Sequence, residues 1–124
     1  MIRAGAILAS AAAVLGPAGV LSQATPGLWE LRRVPDGQPV RQCVADIAAL
    51  AQVEQRGQAC ARKVVSSEGS GTVLRYSCNG GGFGQSTLTL LTPRSLTIET
   101  QGISGGLPFN YVVHARRVGD CEAR

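Results

Sequence analysis

Apolar and polar residues alternate with a period of two along most of this chain, the mark of strands with one buried and one wet face. Residues 27–34 (G-L-W-E-L-R-R-V) read as a first strand, closed by the turn signal Pro35-Asp36-Gly37. Residues 60–67 and 72–78 flank the turn-rich Glu68-Gly69-Ser70-Gly71 and predict a hairpin. Residues 86–91 and 95–101 predict a second hairpin around Thr92-Pro93-Arg94, with Leu96 and Ile98 alternating with Thr97, Glu99 and Gln101. Residues 107–118 supply a last strand, in which Phe109, Tyr111, Val113 and Ala115 share a face. One stretch breaks the period. Over residues 44–55, Ile47, Leu50, Ala51 and Glu54 recur at helical spacing among helix-favouring alanines, and Gly57 stops the run. The pattern predicts a mostly β fold of about six strands with one short helix on one side of the sheet. Strands adjacent in sequence favour an antiparallel meander, forming a curved sheet or small open barrel over one core.

The N-terminus follows a different logic. Met1-Ile2-Arg3 is a short basic start, and residues 4–21 are uncharged and rich in Ala, Val, Leu and Ile. Ser22 and Ala24 then place small residues where a signal peptidase reads them, which predicts cleavage after Ala24. Residues 1–24 are thus expected to be a cleavable secretory leader and residues 25–124 a single small β-rich domain, periplasmic or secreted. The run is close to spanning length, but Pro17 and the Ala/Gly content favour a leader over a retained anchor. The segment holds no cysteine for lipid attachment.

A domain of this size is marginally stable without staples, and Cys43, Cys60, Cys78 and Cys121 are the available ones. Four cysteines allow about three pairings. Gly69 lies midway between Cys60 and Cys78, so a hairpin folded about it sets the two cysteines opposite each other, which favours that bridge. Cys43 then pairs with Cys121. Each bridge is expected to contribute ~3–5 kcal/mol in the chain-entropy model.

Charge narrows the function classes. The chain is +4, its positive residues scattered except at Arg32-Arg33, Arg62-Lys63 and Arg116-Arg117. Nucleic-acid binding calls for a denser basic stripe with stacking aromatics, so no nucleic-acid partner is expected. With the cysteines oxidised and His114 the single histidine, no metal site and no cofactor are expected either. The Gly80–Gly84 region lacks the lysine and helix of a phosphate loop and reads as a glycine linker. Gly102-Ile103-Ser104-Gly105-Gly106 formally matches the G-x-S-x-G of serine hydrolases. Pro108 and a strand pattern follow it where a helix is required, so a turn is expected and the hydrolase reading at Ser104 is remote. Arg32-Arg33 ends the first strand and Arg116-Arg117 the last. A Cys43–Cys121 bridge would draw these together, giving a candidate anion site for bidentate hydrogen bonds; solvated edge charge is the simpler expectation.

Three stretches carry a resemblance. Pro26-Gly27-Leu28-Trp29-Glu30-Leu31, Tyr76-Ser77-Cys78 and Arg116-Arg117-Val118-Gly119-Asp120-Cys121 together resemble the secreted bacterial family called domain of unknown function (DUF) 3617, over essentially the whole expected mature chain. The resemblance implies an exported, mostly β protein of Gram-negative bacteria with a periplasmic location, and no established activity to transfer. The chain departs from common members in lacking their methionine-rich strands, since Met1 is its one methionine. The expected role is a non-enzymatic binding protein for an apolar or amphipathic small ligand or a protein partner. Trp29, Tyr76, Phe109 and Tyr111 are the candidate lining residues. The alternative is an envelope structural or stress protein touching anionic lipid headgroups through Arg32, Arg33, Arg116 and Arg117, without spanning the membrane.

Overall fold

A computed structural model describes residues 19–122. A short helix, α1 (Val20–Gln23), precedes β1 (Gly27–Arg33) and β2 (Val40–Val44). A 3₁₀ helix (Ile47–Gln55) then leads to β3 (Cys60–Glu68), β4 (Gly71–Cys78), β5 (Phe83–Thr92), β6 (Ser95–Ser104) and β7 (Leu107–Gly119). All seven strands form one open antiparallel sheet in the order β2-β1-β7-β6-β5-β4-β3. Strands β3 to β7 are the expected meander. The β1–β2 hairpin adds to it beside β7, so the chain between β2 and β3 travels from one sheet edge to the other. The 3₁₀ helix makes that crossing and contacts β4, β5 and β6 on the way. Of the expected leader, residues 1–18 lie outside the described residues.

Two elements differ from expectation. Val44 does not open a helix; it ends β2, a seventh strand whose apolar signal is limited to Val40 and Val44. The helix begins at Ile47, where Asp46 Oδ1 accepts from the Ala48 amide at 3.0 Å and so caps it. The segment is 3₁₀ rather than α and breaks at Gln52, whose φ of −112° and ψ of 46° are not helical. No helix among the described residues is long and apolar enough to cross a membrane.

The hairpin turns follow their glycines. In β3–β4 the pairing Glu68↔Gly71 leaves a two-residue turn. Gly69 at its first position takes a φ of +56°, as a type II′ turn requires. A two-residue turn alone would carry Cys60 past Cys78. The register shift between Val64 and Ser66 inserts Val65 as a bulge and restores Cys60↔Cys78. In β6–β7 both Gly105 and Gly106 have positive φ (+60° and +81°), the type I′ arrangement.

The core lies between the concave face and the crossing segment. Trp29, Leu31, Leu74, Leu88, Leu96, Ile98, Val113 and Ala115 from the strands meet Ile47, Leu50, Ala51 and Val53 from the 3₁₀ helix. Trp29 is completely enclosed, and its indole N–H donates to the Thr25 carbonyl at 3.0 Å. Two disulfides, Cys60–Cys78 and Cys43–Cys121, pin the two sheet edges.

The bridges span very different lengths of chain, 18 residues for Cys60–Cys78 and 78 for Cys43–Cys121. Replacing Cys43 and Cys121 with serine is therefore expected to lower unfolding free energy by about 4 kcal/mol, and the Cys60/Cys78 pair by about 3 kcal/mol. Urea denaturation of the two double variants measures the order, and an equal or reversed loss contradicts it. Trp29→Ala is expected to cost about 3–5 kcal/mol in the same assay, through the cavity it leaves.

Candidate functional site

The 3₁₀ helix brings polar side chains into the concave face, and each of these has a partner. Gln52 and Gln55 are both buried. Gln52 Nε2 donates to the Gln55 and Gln58 carbonyls, both at 3.0 Å, while its Oε1 accepts from Arg62 Nη1 at 2.6 Å. Gln55 Oε1 accepts the Tyr76 hydroxyl at 2.6 Å, and its Nε2 donates to the Ile103 carbonyl at 3.3 Å. Ser86 donates to the Ala51 carbonyl at 2.5 Å and lies 2.7 Å from Thr100 Oγ1. Buried polar groups left single would cost about 1–3 kcal/mol each, so this network fixes the segment's position on the sheet.

Past the end of that network the segment and the sheet part, and a cavity of about 350 Å³ opens between them. Its floor is apolar: Leu31 of β1, Val113 of β7 and Val53 of the 3₁₀ helix. Its wall is Tyr111, whose hydroxyl donates to Glu54 Oε1 at 2.6 Å. Arg33 and Arg56 stand at the mouth, with residues Gly37, Gln38 and Val40 of the β1–β2 connection. The Arg33 guanidinium carbon lies 3.9 Å from the Tyr111 ring centroid, a cation–π contact on one face of the ring. Phe109 tilts against Tyr111 with centroids 5.8 Å apart. Among the described residues neither Arg33 nor Arg56 forms an ion pair. The cavity thus offers an apolar floor under two unpaired guanidinium groups.

Burial raises both tyrosines. Tyr76 is pushed up to about 12, by desolvation first and then by the charge of Glu54. Tyr111 is raised further, again by desolvation first, then by its hydrogen bond to Glu54.

The four expected aromatics separate into two roles. Tyr111 lines the cavity and Phe109 backs it. Trp29 and Tyr76 are core residues, 0% and 4% exposed, and neither lines this cavity. The four candidate arginines do not form one cluster: Arg32 and Arg116 line a shared groove with Glu30 and His114, whereas Arg33 lines the cavity. Neighbouring residues of a strand point to opposite faces, so each Arg-Arg pair is split. Arg33 enters the cavity face, whereas Arg32 turns outward and donates to the Pro35 carbonyl at 3.2 Å. Arg116 pairs with Glu30 at 3.0 Å, a carboxylate that Arg41 also approaches at 3.6 Å. Arg117 donates to the Pro26 carbonyl at 2.8 Å and to Asp120 at 2.5 Å. Ser104 ends β6 directly before the two-glycine turn and faces Leu107, with His114 far along β7 opposite Thr97. Among the described residues no helix follows it, so the elbow geometry is missing there. Among the described residues no group of three or more His, Cys, Asp or Glu side chains is placed to hold a metal.

Val53, Glu54 and Arg56 were not singled out as site residues by sequence reasoning. Glu54 was visible only as part of a helical stripe, and nothing in the spacing shows the segment ending over a gap.

A family model described as "Protein of unknown function (DUF3617)" matches residues 24–121. No curated protein and no solved structure matches the chain.

Both tyrosines of the chain should titrate late. Unfolded tyrosine loses its proton near pH 10, and Tyr76 does so near 12. The native state then holds protons that the unfolded state has lost. Stability present below pH 10 is accordingly expected to fall as pH rises from about 10 through 12. Phenolate absorbance of the native protein measures the delay; phenolate appearing at pH 10 contradicts it.

Proposed function

The chain belongs to the DUF3617 family, whose description assigns no chemistry, and we propose from the cavity itself that it is a binding domain for an amphipathic anion. The ligand has an apolar body and one carboxylate or phosphate group, and binding involves no covalent step. The observation that carries this is the pairing of a floor of Leu31, Val53 and Val113 with Arg33 and Arg56 at the mouth. A volume of about 350 Å³ lies at the small end of ligand cavities, which suits a single acyl chain or a ring system rather than a lipid with two tails. Guanidinium groups without a carboxylate partner recognise an anionic head through charge-assisted hydrogen bonds. Glu54 is occupied by Tyr111 and so adds a fixed negative wall that sets the orientation of the head toward the mouth.

The two disulfides support a site of action in an oxidising compartment, in keeping with export to the periplasm. A lipid-headgroup surface built on four clustered arginines finds less support, because Arg116 and Arg117 already have carboxylate partners.

Decanoate is a suitable first probe, with decanol as its uncharged counterpart. NMR titration is expected to move the Tyr111, Val53 and Val113 signals with decanoate. Arg33→Ala and Arg56→Ala should each weaken decanoate about tenfold, the effect of about 1.4 kcal/mol for one lost charged hydrogen bond. Equal binding of acid and alcohol, or shifts confined to other residues, removes the proposal.

A further inference from the structure

We propose that the chain carries a proteolytic processing site at the Ala18–Gly19 bond, so that the exported domain begins at Gly19 and keeps residues 19–24 as part of its core. The inference rests on the reading that the chain is exported, and it moves the cut upstream from the bond after Ala24.

The leading observation is Val20, which is 0% exposed and belongs to the central apolar cluster. Its amide donates to Thr72 Oγ1 at 3.3 Å, and that hydroxyl, on the buried face of β4, lies 3.1 Å from Ser67 Oγ. Ala24 is also buried, and Leu21 packs on the same cluster. The segment is tied to itself and to the sheet: Ser22 and Gln23 amides donate to the Gly19 carbonyl, Ala24 N to Val20 O, and Thr25 N to the Pro93 carbonyl at 2.9 Å. A helix of four residues has no stability of its own, so packing against β4 and β5 holds it in place. Removing it would strip a wholly buried side chain from a close-packed core and take the Val20 amide away from Thr72 Oγ1.

Gly19 marks the boundary. A side chain there would meet Ser67 Oγ and stand 3.0 Å from Thr72 Oγ1, so a residue larger than glycine requires the Ser67 hydroxyl to turn away. The residues upstream fit a cut at this point. Ala18 and Gly16 are small residues at the two positions a signal peptidase reads. Residues 4–15 form an uncharged run of about a dozen residues, within the roughly 7–15 expected of a leader's apolar region. The run to residue 21 exceeds that length, and Gly16-Pro17 ends the shorter one. In the cut, water attacks the Ala18 carbonyl carbon and the Ala18–Gly19 C–N bond breaks. The water oxygen stays on Ala18 as part of its new carboxylate, and both water protons end on the Gly19 nitrogen, which becomes the ammonium of the new N-terminus. The enzyme is of the membrane-bound signal endopeptidase class.

The test is the intact mass of the full-length gene product recovered, without reduction, from the periplasm of a Gram-negative host. A chain from Gly19 with two disulfides is the expected result. A chain beginning at Thr25 overturns the proposal while leaving export standing, and a chain retaining Met1 overturns both. Two variants sharpen the choice. Ala18→Leu is expected to leave the precursor uncut, whereas Ser22→Leu, at an exposed position, is expected to be processed as before. Processing lost in Ser22→Leu and kept in Ala18→Leu reverses the assignment. None of these outcomes bears on decanoate binding, so the two proposals fail separately.

Discussion

An open sheet of seven strands has a concave face that must be covered, and this chain covers it with a segment that crosses from one edge to the other. A crossing segment cannot hide its own backbone groups as a strand does. A 3₁₀ helix with a break at Gln52 leaves the Ala51 carbonyl and the Gln55 side chain facing the sheet, where each needs a partner. The sheet provides them from its inner face. Ser86 takes the Ala51 carbonyl, Tyr76 holds Gln55, and Gln55 reaches the Ile103 carbonyl. The apolar contacts of Ile47, Leu50 and Ala51 give the burial, and the hydrogen bonds decide where along the sheet that burial occurs.

The cavity is a consequence of this anchoring. Gln55 binds the segment toward Tyr76 and β6, so the stretch from Val53 to Arg56 cannot also close on β1. The gap that remains is bounded by residues whose own positions are fixed elsewhere: Leu31 by the sheet core, Tyr111 by Glu54 and Arg33 together. A space held open by rigid elements keeps its shape before a ligand arrives, which lowers the cost of ordering on binding.

Most strands were legible because their alternation is undisturbed. Leu96, Ile98 and Thr100 are buried and Glu99 and Gln101 exposed, as period two requires. The Cys60–Cys78 register could be counted from Gly69 only because two departures cancel, the short turn and the bulge at Val65. Edge strand β2 was illegible, since an edge with one neighbour needs few apolar residues to stay in place. Gln52 and Gln55 were illegible for the opposite reason: polar letters in a helical pattern suggest a wet face, and only the sheet opposite them shows that they are inside. The arginine doublets misled through chain proximity. Strand geometry sends Arg32 and Arg33 to opposite faces, so one of them enters the cavity and the other does not.

Tyr111 is where these threads meet. Its ring is covered on one face by the Arg33 guanidinium, and its hydroxyl is committed to Glu54. Burial and the bond to Glu54 favour the neutral phenol and outweigh the Arg33 cation, which pulls the other way, so the net shift is upward. The residue therefore separates a cation at the mouth from an anion on the wall without joining them in an ion pair. Had Arg33 reached Glu54 directly, their charges would have been spent on each other and Arg56 alone would stand unpaired at the mouth. Held apart by the ring, Arg33 keeps donors free toward the mouth, and Glu54 has part of its acceptor capacity taken by the phenol. That asymmetry gives a small cavity a direction: apolar matter inward, negative charge outward beside Arg33 and Arg56.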